Sequence, residues 1–149
     1  MPYLSDLSGV TNNFSVAGQI STTGGVLLRV VALTDAATVT INSAITDIGV
    51  LLSLSQSVTF ANPIGSPVNG QLLQIRIAST ISRAISFGTD YQAASSLGLP
   101  FATTGGGKED YIAFRYNSVD IKYDLIGTTI GATVSGADSI AIALAFGGI

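Results

Sequence analysis

The sequence predicts an all-β protein, an antiparallel β-sandwich that is jelly-roll-like in topology. Short apolar runs rich in Val, Ile and Thr, which favour strands, alternate with turn signals that include many of the 17 glycines. No segment keeps the 3.6-residue apolar period of an amphipathic helix. The spacing of these runs suits a sandwich better than an alternation of strands with helices.

Nine strands are predicted in chain order, at residues 26–31, 38–41, 48–54, 58–60, 71–77, 84–88, 110–116, 121–127 and 140–146. A short helical turn is predicted near 92–97. The loop 62–70 contains two prolines and cannot be a central strand. The glycine-rich segment 103–108 reads as a flexible connector.

The clearest hairpin covers residues 110–126. Pairing of Tyr116 with Ile121 would place alternate residues of both strands on one buried face, and would bring Arg115 diagonally close to Asp124. The predicted core combines this face with residues of earlier strands: Leu73, Ile75, Ile85, Phe87, Ile112, Phe114, Tyr116, Ile121, Tyr123 and Leu125.

The two ends differ from the middle of the chain. Residues 1–25 are polar and lack strong periodicity, which predicts an arm before a single domain at 26–149. The last predicted strand is apolar on both faces. It is either a central strand of this domain or an interface with a partner, and the interface hypothesis assigns to it Ile140, Ala141, Ile142, Ala143, Leu144, Ala145 and Phe146.

Composition points to a subunit of a larger assembly. Hydrophobic residues make up 47% of the chain and charged residues only 10%, against about 25% charged residues in an ordinary globular protein. With nine acidic and six basic side chains, much of the surface must be neutral or apolar. Exposed apolar area of this kind usually marks contact with another protein.

Several function classes are disfavoured. The chain has no Cys, His or Trp, so the usual nucleophilic thiolate, general base and imidazole metal ligand are missing. We therefore predict no enzymatic activity, no cofactor and no metal. A net charge of −3 without a basic cluster argues against nucleic acid. Neither a signal peptide nor a membrane-spanning run is expected.

The motifs that invite a chemical interpretation have plainer explanations. Gly105–Lys108 lacks the first glycine and the Ser or Thr of a phosphate-binding loop. Glu109 and Asp110 project to opposite faces of a strand and should keep its entrance soluble, while Asp120 and Asp124 flank Lys122 in a solvated charge strip. Arg83 is expected to pair with a carboxylate or carbonyls. Packing is preferred over sugar stacking for four tyrosines: Tyr91, Tyr111, Tyr116 and Tyr123.

Part of the chain resembles a domain common in structural proteins of tailed bacteriophages. The resemblance covers about residues 38–127 and rests on the order of five pieces: the Pro-Gly loop and strand 62–77, the strand Arg83–Gly88, the turn Leu99-Pro100, the strand Tyr111–Asn117, and Lys122-Tyr-Asp124. Tyr123 stands where relatives often have Trp. The resemblance implies a β-sandwich carried on virion surfaces, in tail-fibre or head-associated proteins, and it brings no catalytic residues.

A short chain with two extensions resembles a capsid decoration, or cement, protein more than a fibre module behind a long shaft. The function predicted from this resemblance is a non-enzymatic homotrimer on the capsid surface that bridges subunits of the major capsid protein. The alternative is a tail-fibre or receptor-binding subunit that recognises host-surface glycans. Neither hypothesis involves a membrane partner.

Overall fold

The computed structural model describes residues 27–94 and 96–130, which form nine strands and no helix. The strands are β1 (Val30–Ala32), β2 (Thr38–Val39), β3 (Ile48–Leu51), β4 (Val58–Phe60), β5 (Leu72–Ala78), β6 (Ile85–Phe87), β7 (Tyr91–Gln92), β8 (Glu109–Asn117) and β9 (Lys122–Thr128). The all-β prediction is confirmed for this part of the chain.

The strands build two sheets, and the first six alternate between them. One sheet has the order β1-β3-β5-β8-β9-β7, and the other has the order β2-β4-β6. Strands β1 to β6 therefore follow three successive turns of a coil, in which each turn gives one strand to each sheet. We call β1 and β2 the first turn.

This arrangement corrects the predicted antiparallel pairing. Five of the seven strand pairings in the described residues are parallel, and only β5–β8 and β8–β9 are antiparallel. The three-stranded sheet is wholly parallel and the six-stranded sheet is mixed, because strands β1 to β6 cross to the opposite sheet instead of folding back as hairpins. The jelly-roll topology is not confirmed.

Both sheets contribute to one hydrophobic core. Phe60 of β4 and Phe114 of β8 are fully buried, and both rings lie within 5.6 Å of the Phe87 ring of β6, measured between centroids. The Tyr91 ring packs against Phe114 in a tilted arrangement, with 4.9 Å between the ring centroids. Nine of the ten predicted core residues lie in this core or pack against it.

The exception is Ile121, because the register of the β8–β9 hairpin differs from the predicted one. Tyr116 pairs with Tyr123 rather than with Ile121, and Arg115 lies directly opposite Asp124. The Asn117 side chain accepts a hydrogen bond from the Val119 N–H at 3.0 Å and widens the turn. Ile121 consequently sits in this turn with φ of 57° and is largely exposed. The shift is two residues, so the buried face is preserved.

The remaining predicted strand boundaries agree with the observed ones to within a few residues, and those of β4 agree at both ends. The short strand β7 starts where a helical turn was predicted, and the described residues there contain no helix. The predicted strand at 140–146 and the N-terminal arm lie outside the described residues. The described ranges hold no helix long and apolar enough to cross a membrane.

Candidate interaction surface

At the first turn of the coil, two strand edges have no neighbouring strand among the described residues. Among the described residues β1 pairs only with β3, and β2 pairs only with β4. The Leu33 N–H and the Arg29 carbonyl bond to β3, so the backbone groups of Val30 and Ala32 point away from it. By the same alternation, Thr38 and Thr40 direct their backbone groups away from β4, since Ala37 and Val39 bond to that strand.

An apolar cavity of about 320 Å³ opens between these two edges. Val31, Leu33 and Ala36 line its β1 side, while Val39 and Ile45 line the rest of the apolar wall. We call the two free edges with this cavity and residues 27–30 the open end. The cavity exposes part of the core at the end of the coil, because no described strand continues the sheets beyond the first turn.

The open end is also rich in exposed apolar side chains. Leu27 is 95% exposed, and Leu28, Val30 and Ile45 each expose more than half of their surface. Elsewhere in the described residues, Phe101 and Val119 lie exposed in separate loops, and Leu72 and Ile126 lie exposed on strands β5 and β9. A free strand edge beside contiguous apolar surface is the usual template for pairing with another chain.

One ion pair holds the open end in shape. The Arg29 guanidinium bonds to both Asp47 carboxylate oxygens, at 2.9 Å from Nε and 2.5 Å from Nη2. The Arg29 N–H also donates to this carboxylate at 2.8 Å. These hydrogen bonds, led by the side-chain one, hold the pKa of Asp47 below its usual range. The start of β1 is thus fixed to the start of β3 by bidentate pairing.

The sequence predicts an interface elsewhere in the chain. Its seven residues, Ile140 to Phe146, lie outside the described residues, so that interface stays a prediction. The open end was missed because the run Leu27–Val31 was assigned only to an ordinary strand. Its apolar character was visible in the sequence, but its position at the end of both sheets depends on pairing with residues far along the chain.

The tyrosines divide between the core and its margin. Tyr91 and Tyr123 are buried in the aromatic cluster, and burial raises the pKa of both phenols. Neither ring is available to stack on a sugar. Tyr111 and Tyr116 are half-buried, and Tyr116 packs at 5.1 Å from Tyr123. Three of these four rings, those of Tyr91, Tyr116 and Tyr123, therefore have the packing role preferred from the sequence.

The two aspartates of the predicted charge strip, Asp120 and Asp124, are held by side-chain amides. Asp124 accepts hydrogen bonds from Gln92 at 2.5 Å and Asn117 at 3.2 Å, and Asn117 also donates to Asp120 at 3.0 Å. Lys122 donates instead to the Thr89 carbonyl. In residues 27–94 and 96–130 there is no group of three or more His, Cys, Asp or Glu side chains that could hold a metal.

Glu109 and Asp110 do project to opposite faces, but only Glu109 is exposed. It forms an ion pair with Arg76 at 2.6 Å. Asp110 is buried and accepts hydrogen bonds from the Thr104 N–H at 2.7 Å and hydroxyl at 2.5 Å. The prediction that both keep the strand entrance soluble is therefore wrong for Asp110, which fixes the preceding loop.

Arg83 does not make the predicted pairing within the described residues. Its Nε–H is buried with no hydrogen-bond partner, and neither ion pair of these residues includes Arg83.

Searches of protein-family models, curated proteins and solved structures gave no significant match to this chain.

Proposed function

We propose that the chain is a non-enzymatic structural subunit that associates with other copies of itself through the open end. The observation that carries this proposal is the coincidence, in one place, of two strand edges that no described strand covers, an apolar cavity and exposed apolar side chains. Another copy offers the same edge groups and the same apolar surface. Contact between copies would therefore pair backbone groups and cover apolar area together.

The scarcity of charge supports self-association over association with a strongly charged partner. Of the side chains that shape the open end, Arg29 and Asp47 neutralise each other. The remaining surface there is apolar or carries only threonine hydroxyls and the Asn42 amide. A neutral surface of this kind gives little like-charge repulsion when two copies meet. We propose a closed oligomer, and the resemblance to capsid decoration proteins makes the trimer the expected form.

In its specific form the proposal is a capsid decoration protein of a tailed bacteriophage, located on the capsid surface. The support for it is the resemblance of residues 38–127 to virion-surface domains. In this proposal the two sheets form a sandwich, and the oligomer stabilises the head by bridging subunits of the major capsid protein. Such bridging needs only distributed weak contacts, because their effect accumulates over many copies through linkage to the assembled shell.

The self-association is tested by the substitution Val30→Lys. A lysine on an edge strand opposes pairing with another strand, and Val30 is 62% exposed, so its replacement removes little core packing. We expect the variant to be monomeric in light scattering at micromolar concentrations where the unchanged protein is oligomeric. The matched control is Val119→Lys, at a residue 87% exposed in the β8–β9 turn, which should leave the oligomer intact.

Two results would contradict the proposed surface. One is a monomeric unchanged protein, and the other is an oligomer that Val30→Lys leaves as stable as Val119→Lys does. A measured dimer in place of a trimer would correct the number of subunits and keep the surface.

The decoration role is tested by copy number. Quantitative mass spectrometry of purified virions should find this chain in hundreds of copies per particle, because a cement protein occupies repeated sites on the shell. Only a handful of copies would place it in a tail appendage and favour the glycan-binding alternative. Absence from purified virions would overturn the virion role altogether.

A further inference from the structure

The edge of β1 at the open end lacks the residues that usually protect a strand edge. The backbone groups of Val30 and Ala32 point away from β3, and no described strand pairs with β1 on that side. Residues 30–34 contain no charged residue and no proline, the two kinds of residue that most often keep an edge from pairing. The edge is therefore suited to accept another strand.

The open end also specifies the side chains that such a strand should carry. Val31 and Leu33 of the β1 side line the cavity of about 320 Å³. A strand added beside β1 would direct every second side chain toward this cavity, so one face of the strand should be large and apolar. Its other face would lie beside the Val30 side chain, on the outer face of the sheet.

The sequence of segment 140–146 has this two-faced pattern. Large apolar residues alternate with small ones: Ile140, Ile142, Leu144 and Phe146 with Ala141, Ala143 and Ala145. On a strand, the large side chains would share one face and the alanines the other. Residues 139–149 carry no charge, so nothing in the segment opposes burial against the apolar wall of the cavity.

The chain leaves the described part of the structure far from the β1 edge. Register across the six-stranded sheet runs from Thr128 of β9 through Ile112, Ile75 and Gly49 to Val31 of β1. These are four strand spacings, or about 19 Å. The nine residues 131–139 can extend about 30 Å further. The root of the segment and the β1 edge therefore lie toward opposite sides of one molecule.

We propose that segment 140–146 of one copy adds as a strand to the β1 edge of a neighbouring copy. This inference rests on the proposed self-association through the open end, and it names the part of the neighbour that fills it. Two open ends placed face to face make a twofold contact, whereas a closed ring of three needs two different surfaces on each copy. The segment and the β1 edge are two such surfaces.

Cross-linking in the full-length protein tests this contact, because the chain has no cysteine of its own. Copies with Val30→Cys are mixed with copies with Ala143→Cys and treated with a short bismaleimide. Ala143 belongs to the face that would lie beside Val30. We expect covalent dimers of one copy of each kind on a denaturing gel. The matched control replaces Val30→Cys with Val119→Cys, at an exposed residue of the β8–β9 turn, and should give no such dimer.

Three outcomes of the cross-linking would refute the donated strand. The first is no cross-link, or one formed equally well by the Val119→Cys control. The second is a covalent dimer formed by Val30→Cys copies alone, which would show two β1 edges face to face. The third comes from a chain that carries both Val30→Cys and Ala143→Cys. If that chain is linked within a single copy, the segment covers its own β1 edge.

The substitution Leu144→Lys separates failure of this inference from failure of the self-association. It puts a charge on the face that would fill the cavity, so we expect loss of the oligomer in light scattering, as for Val30→Lys. Ala137→Lys, outside the segment, is the control and should leave the oligomer intact. An oligomer that Val30→Lys dissociates and Leu144→Lys does not would refute the donated strand alone. If neither dissociates it, both proposals fail. The cross-linking leaves Leu144 unchanged, so it remains decisive if the lysine variant folds poorly.

Discussion

The substitution Phe114→Ala should lower the free energy of unfolding by about 3–5 kcal/mol, the range for deleting a buried phenylalanine. Phe114 is fully buried, and its ring contacts those of Phe87 and Tyr91, at centroid distances of 5.6 and 4.9 Å. These partners come from both sheets, so neither sheet alone can close the space that the ring leaves. Urea denaturation followed by circular dichroism measures the loss.

Phe101→Ala is the matched control, since this phenylalanine is 78% exposed. Its backbone carbonyl accepts a hydrogen bond from the Ile85 N–H at 2.8 Å, and the substitution leaves that bond in place. We expect a change within about 0.5 kcal/mol, as for most surface positions. If Phe114→Ala costs no more than this control, the common core of the two sheets is wrongly described.

The substitution Gly105→Ala should destabilise the protein by about 2–5 kcal/mol, from a left-handed backbone and a steric overlap together. Gly105 has φ of +78°, and a Cβ atom there would lie 2.5 Å from the Ser82 nitrogen. Backbone atoms cannot rotate away as a side chain can. The loop would have to shift and strain the hydrogen bond from Gly106 to the Thr80 carbonyl, now 2.9 Å long.

Gly106→Ala separates the two causes. Gly106 also has a positive φ, +66°, but a Cβ atom there would meet nothing within 4 Å. We expect a cost of about 1–2 kcal/mol, from the backbone conformation alone. Thermal unfolding of the two variants side by side gives the difference. Equal destabilisation would show that the close approach of Gly105 to Ser82 is not maintained in solution.

Strand positions and core faces could be predicted from the sequence because alternation is a local signal. Ile75 and Ile112 were placed in the core from their own strands, and they lie opposite each other in the β5–β8 pair. The direction of pairing could not be predicted in the same way. Parallel and antiparallel neighbours both bury every second residue, so β1 to β6 carry no local mark of their parallel order.

The wrong predictions for individual residues also arose from contacts that a local pattern does not show. Ile121 is apolar and sits beside a strand, but the Asn117 side chain fixes a wider turn that leaves it exposed. An asparagine at the start of a turn is a recognised signal and could have suggested the shift. Asp110 was assigned to solvent because it is charged, whereas its burial depends on Thr104, six residues earlier. Only the apolar character of the run Leu27–Val31 was visible locally, because the position of the open end depends on pairing with distant segments.

The alternation of β1 to β6 between the two sheets also bears on how the chain folds. Each sheet draws its strands from segments that are interleaved along the sequence, so neither sheet can be completed while the other is absent. The β8–β9 hairpin, closed by a short turn, is the most local pairing and can form early. Pairing along the coil joins residues that are farther apart in the sequence: Val30 pairs with Ile48, and Ile48 pairs with Gln74. These pairings require larger loops to close first. Folding should accordingly be slow and cooperative, with both sheets acquiring protection from amide hydrogen exchange together.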